Sequence, residues 1–306
     1  MTTLRENGAK GKVAFSLREG VRRQLTPGPR MVICGRPIAI TGGHMGYFGS
    51  EANGEVAVRA EVRKLLKEGA DYIKIVASGG STRTSDPNRA SYTVAELAAM
   101  TDEARRHGKL TAAHCTSGQS IQNCLDAGVD MIIHCIFTEP DGTYHFRPDL
   151  VERLVAAKAW VNPTLYVMKA GIERQREARE REGRLTPELE AQFEAARRAL
   201  DVRVDAVRQM SEAGVLMTAG SDSPWGWYAP RRIRPRDPHA RPGRAVPTRR
   251  RSWPVPRAPP IRSAWAPWPA GSFPAAPPTC WSCAAIPPAT SPHCGTLSTS
   301  TSQVIA

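Results

Sequence analysis

Four short apolar runs in this chain each carry a residue able to hold a cation or move a proton. They are Tyr72–Val76 around Lys74, Leu110–His114, Met131–His134 and Val215–Asp222. Neutral imidazoles and carboxylates suit zinc, manganese and related divalent ions. Lys74, flanked by Ile73 and Ile75, is costly to bury without a partner, which favours a chemical task over a snorkelling side chain. One histidine after an apolar run is ordinary core packing. Two in consecutive runs, following a lysine run, favour ligation.

The elements that must position these groups follow from the patterning. Each run is rich in Val, Ile, Leu, Ala or Thr and lacks polar alternation, so it reads as a strand buried on both faces of a parallel sheet. Further strands are expected at Met1–Leu4, 31 to 34, 38 to 41 and Trp160–Tyr166. A helix is expected over 55 to 68, burying Val56, Val58, Val62, Leu65 and Leu66 and closed by Gly69. Thr93 and Glu96 read as a capping box opening a helix that runs to about His107. Shorter helices are expected at Ser120–Ala127 and Leu150–Ala157. A long one over 186 to 213 carries Leu189, Phe193, Ala196, Leu200, Val204 and Val207 on one face. Strands alternating with helices imply βαβ units. In a (β/α)8 barrel the C-terminal strand ends share one mouth, where Lys74, His114, His134 and Asp222 are expected to meet.

The motifs Thr41-Gly42-Gly43-His44, Tyr72-Ile73-Lys74-Ile75 with Ser78-Gly79-Gly80, Ala113-His114-Cys115, Ile133-His134-Cys135 and Gly220-Ser221-Asp222-Ser223 stand in a telling order. Together they resemble the metal-dependent amidohydrolases, in their imidazolonepropionase-like and prolidase-like branch, over residues 1 to 229. The resemblance implies a TIM-like (β/α)8 barrel and hydrolysis of a C–N bond in an amide, dipeptide-like or cyclic amide substrate by a metal-activated water. It implies one or two divalent ions, zinc foremost, held by Lys74, His114, His134 and Asp222, with Lys74 carboxylated as a bridge. Asp222 would also be the general base. His44 would be a second catalytic group, polarising the substrate carbonyl, or a substrate-binding group touching its carboxylate. The family's His-x-His pair of strand one is absent from this sequence. The chain is therefore expected to begin inside the barrel, leaving it incomplete, with strand one preceding Met1. A homo-oligomer is left open.

Composition separates a body from a tail, at 1–229 and 230–306. The formal charge is +13, yet from Arg231 onward there are eleven Arg, no Lys, one Asp and no Glu, so the body is only mildly basic. The tail also holds 16 of the 26 Pro and four of the seven Trp. Without a repeating apolar face it is expected to be disordered, or an aberrant, frame-shifted translation of a GC-rich gene. Two alternatives stay open: a catalytically dead fragment of an amidohydrolase, and nonspecific nucleic-acid binding through Arg249–Arg251. The Lys-free, Pro-dense tail weighs against a specific nucleic-acid partner. Cys280-x-x-Cys283 has no second pair at ribbon spacing and is read as chance. No apolar run reaches 18 residues, so no membrane-spanning helix is expected. Seven irregularly spaced Cys and a charged Met1–Lys12 segment point to a reducing cytoplasm.

Overall fold

The computed structural model describes residues 3–223. The expected domain boundary near 229, the Arg249–Arg251 run and the Cys280 pair lie outside the described residues. In chain order the elements are β1 (Thr3–Glu6), α1 (Val13–Arg22), β2 (Arg30–Ile33), α2 (Gly54–Lys67), β3 (Ile73–Val76) and α3 (Val94–Arg106). There follow β4 (Thr111–Ser117), α4 (Gly118–Asp126), β5 (Met131–Thr138), α5 (Pro148–Ala156), β6 (Trp160–Asn162), α6 (Leu165–Arg181), α7 (Pro187–Glu212) and β7 (Leu216–Met217).

Every pairing between strands is parallel. β3 to β7 form one sheet in sequence order, and β1 pairs with β2. Between the two sheets, Ile38 takes part in a parallel bridge with Ile75. Its N–H donates to Lys74 O at 2.9 Å, and its carbonyl accepts from Val76 N at 2.9 Å. The result is a parallel α/β fold, as the apolar runs imply; the described pairings do not include closure of the strands into a ring. A main apolar core joins Val58, Val62 and Leu65 of α2, Leu97 and Met100 of α3, Ile73 and Ile75 of β3, and Ile132 and Phe137 of β5. The Thr93–Glu96 capping box is present: Glu96 N–H donates to Thr93 Oγ1 at 3.3 Å and Thr93 N–H to Glu96 Oε2 at 2.9 Å.

Several boundaries differ from the sequence reading, each for a local reason. Residues 38 to 41 make only isolated bridges. The strand expected over Trp160–Tyr166 ends at Asn162, because Thr164 takes left-handed backbone (φ 47°) and starts α6, a helix that the charge-rich sequence did not announce. Helix α1 was likewise unannounced. Val56, expected to be buried, is 85% exposed, since the buried face of α2 runs through Val58, Val62 and Leu65. Strand β7 covers only Leu216–Met217, so Asp222 lies beyond it, in a loop.

Candidate active site

The C-terminal side of the parallel strands opens into a cavity of about 390 Å3, within the range of small-molecule pockets. His44, Lys74, His114, His134 and Asp222 all line it. The five positions singled out in the sequence thus come together, although the groups do not all sit at strand ends. Lys74 lies inside β3, and β4 and β5 continue past His114 and His134. His44 follows the Ile38 segment, and Asp222 follows β7.

The position of His134 depends on an irregularity in β5. His134 and Cys135 both take left-handed backbone, at φ 70° and 51°. Across the β4–β5 pairing, Cys115 faces His134 but Ser117 faces Thr138, so four steps along β5 match two along β4. Bulges of this kind re-aim side chains and are common near active sites. Asp222 (φ 54°) and Met45 (φ 61°), beside His44, are also left-handed. Cys115 and Cys135, adjacent to the two histidines, are buried in the apolar core.

The three imidazoles stand in a row. Ring centroids are 4.7 Å apart for His44 and His114, and 4.6 Å for His114 and His134. Burial, followed by the Lys74 charge, pushes the His44 pKa down to about 4. Burial also holds His114 and His134 well below the ordinary imidazole value. All three are therefore neutral at pH 7. His114 Nε2 lies 2.9 Å from Gly79 O, which can only accept, so Nε2 carries the proton and Nδ1 keeps a free lone pair. His134 Nδ1 pairs with Thr164 Oγ1 at 2.7 Å. His44 Nδ1 lies 3.0 Å from Thr82 Oγ1, which also accepts from Met45 N–H at 3.3 Å. With one proton and two lone pairs, the Thr82 hydroxyl can either donate to His44 Nδ1 or accept from it while holding Met45 N–H.

Burial lowers the Lys74 pKa, an effect opposed by Cys34 and Asp222. Burial raises that of Asp222 against the pull of Lys74. The chemistry of this donor set fits a divalent cation: neutral imidazoles with a lone pair available, a carboxylate, and an amine biased toward its neutral form. Among the described residues no three His, Cys, Asp or Glu side chains stand close enough to share an ion, so the donor chemistry fits a cation while the side-chain positions do not form a three-ligand site.

Sequence reasoning passed over several cavity residues: Asn7 after β1, Thr116 of β4, Thr164, and Arg203 of α7. Arg203 had a visible signal. It occupies the apolar stripe of α7, three residues after Leu200 and four before Val207. Thr164 had none, because its role depends on the break between β6 and α6. At the end of the strand expected over Trp160–Tyr166, Tyr166 is 48% exposed, and Asn162 packs against Gly220 outside the cavity lining.

Comparison with known proteins gives a consistent picture. The model of the amidohydrolase family matches residues 1–233. An ochratoxinase of Aspergillus niger is 32% identical over 101 residues, 31% of this chain and 21% of that protein. A solved Xaa-Pro dipeptidase with methionine in its active site is 26% identical, with a TM-score of 0.59, over 73% of this chain and 55% of its own. A solved prolidase complexed with N-methylphosphonate-L-proline is 26% identical, with a TM-score of 0.57, over 72% of this chain and 54% of its own. The chain thus spans about half the length of these solved relatives. Among the described residues no helix is long and apolar enough to cross a membrane.

Proposed function

The chain belongs to the amidohydrolase family, and on that premise we propose that it hydrolyses C–N bonds of small amides, dipeptide-like or cyclic. The observation that carries this reading is the row of three neutral imidazoles beside Lys74 and Asp222 in one cavity. The parallel strands are read as staves of a (β/α)8 barrel, whose C-terminal mouth is where such chemistry resides. His114 through Nδ1, His134, Asp222 and Lys74, as its carbamate, would between them hold one or two divalent cations, zinc in our reading, once the side chains draw together from the positions they hold in this structure. When bound, the cation lowers the pKa of the attacking water and polarises the amide carbonyl.

The chain's own groups do the rest. Asp222 accepts the proton of the attacking water, and its raised pKa makes it a better base than an exposed carboxylate. His44 donates to the amide oxygen as negative charge develops there, its ring held in place by the Thr82 hydroxyl. Met45, Ile133, Ile136 and Met168 provide apolar walls that exclude bulk water.

The test is to assay the purified chain with zinc or manganese against a panel of dipeptides, N-acyl amino acids and cyclic amides. We expect metal-dependent turnover that is lost in Asp222→Asn and His134→Ala. A metal-loaded, folded chain inactive on the whole panel overturns the proposal.

A further inference from the structure

The loop that joins β3 to α3 closes on itself beside the cavity. Its two arms meet in an antiparallel bridge between Ser78 and Ala90, and Gly79 N–H donates to Arg89 O at 3.3 Å. The arms touch closely: a Cβ at Gly79 would lie 2.1 Å from Asp86 O. Between them the loop reaches two of the imidazoles. Thr82 Oγ1 lies 3.0 Å from His44 Nδ1, and Gly79 O accepts from His114 Nε2 at 2.9 Å. Gly80, Ser81 and Pro87 of the same loop line the cavity. Thr116 of β4, outside the loop, touches both arms. Its N–H donates to Ser78 Oγ at 2.9 Å. Its Oγ1 lies 2.7 Å from Ser78 Oγ, 3.1 Å from Gly79 O and 2.6 Å from Pro87 O. A hydroxyl has one proton and two lone pairs, so the shortest contacts are satisfied together when Ser78 donates to Thr116 and Thr116 donates to Pro87 O.

Resting on the hydrolase reading above, we infer that Thr116 is a positioning residue: its hydroxyl fastens both arms of the β3–α3 loop to β4 and so fixes the imidazoles of His44 and His114 for the reaction. The link to His114 is Gly79 O, which lies within hydrogen-bond reach of both side chains. The link to His44 is Thr82, carried between the two fastened arms. β4 is a suitable anchor because it is paired on one side with β3 and on the other with β5. The loop's own ties at Thr84, Asn88 and Arg89 are exposed, where water competes for each bond. A displacement of about 1 Å near reacting atoms can cost roughly a hundredfold in rate, so one such fastening matters more to catalysis than to stability. The competing account is that Thr116 fills space beneath the loop, a role that depends on its shape and not on its hydroxyl.

Two variants of the full chain separate these accounts. Thr116→Val keeps the shape and removes the hydroxyl, and Thr116→Ser keeps the hydroxyl and removes the methyl. Proton–carbon NMR of the histidine rings, assigned with His44→Gln and His114→Gln, reads imidazole placement without any substrate. In Thr116→Val the His44 and His114 signals should shift or broaden, while those of His107 and His145, which do not line the cavity, stay in place. Thr116→Ser should match the wild type. On any amide of the panel that is turned over, kcat should fall roughly ten- to a hundredfold in Thr116→Val with KM nearly unchanged, and stay near wild type in Thr116→Ser. Unmoved His44 and His114 signals, equal effects of the two variants, or a wild-type kcat in Thr116→Val each overturn the inference. Should Thr116→Val not fold, Ser78→Ala removes the partner hydroxyl on the first arm and should move the same two ring signals. A wild-type chain that turns over no amide sinks the hydrolase reading, and the ring signals still decide whether Thr116 places the imidazoles.

Discussion

His134 Nδ1 and Thr164 Oγ1 lie 2.7 Å apart, and both residues hold left-handed backbone, at φ 70° and 47°. For a β-branched threonine this conformation is rare, and such strain costs of the order of 1–3 kcal/mol per residue. Strain of this kind persists where surrounding contacts over-determine it. Here the Arg203 bond to His134 O and the bulge in β5 supply those contacts.

Thr164→Val keeps the shape and removes the hydroxyl, leaving the buried His134 Nδ1 without its partner. We expect a stability loss of about 1–3 kcal/mol in urea unfolding. Zinc affinity, measured by competition with a chromophoric chelator, should fall roughly tenfold or more, as for other groups that orient a ligating histidine. Unchanged zinc affinity would remove His134 from the proposed ligand set.

Gly80→Ala tests His44. A Cβ at Gly80 would lie 2.5 Å from His44 Cδ2 and 2.6 Å from Nε2, so the ring must leave its place beside Thr82. Turnover should drop by on the order of 10²-fold, the scale of losing one donor to a developing oxyanion. The melting temperature should change little, since the ring can swing toward the cavity. A variant with wild-type kcat would show that His44 does not touch the reacting carbonyl.

Glu103 offers a pH test away from the site. Its carboxylate accepts from Arg63 Nε at 2.7 Å and Nη2 at 3.1 Å, and the Arg63 bond is the main reason its pKa is held down to about 2 from 4.5. It is covered chiefly by the arms of Arg59, Arg63 and His107. Because the folded pKa is depressed, its contribution is complete above about pH 4.5 and disappears as pH falls toward 2. Wild-type stability should therefore decline more steeply than that of Glu103→Gln between pH 5 and pH 3. Parallel curves in denaturant titrations at the two pH values would contradict this.

Helix α3 allows cap and core to be compared on one element. Thr93→Ala removes half of the capping box and should cost about 0.5–2 kcal/mol. Leu97→Ala, at a fully buried side chain, should cost about 2–5 kcal/mol. Equal losses in chemical denaturation would mean that the core around Leu97 collapses to fill the space.

The sequence by itself determined the strands around Lys74, His114 and His134, because a short apolar run with no polar alternation has few folded fates besides a strand covered on both faces. It also determined the α3 cap, since Thr93 and Glu96 satisfy each other's backbone locally. Only the tertiary structure decided what is not local. The bulge that aims His134 appears as a mismatch of register between two strands, and neither strand encodes it alone. The end of β6 at Asn162 and the turn at Thr164 depend on α6 packing against α7, which the charged surface of both helices hides from a reading of periodicity. Arg203 was legible as a charge on an apolar stripe. Its destination beside His134 was not, because that depends on where α7 is laid across strands distant in the chain.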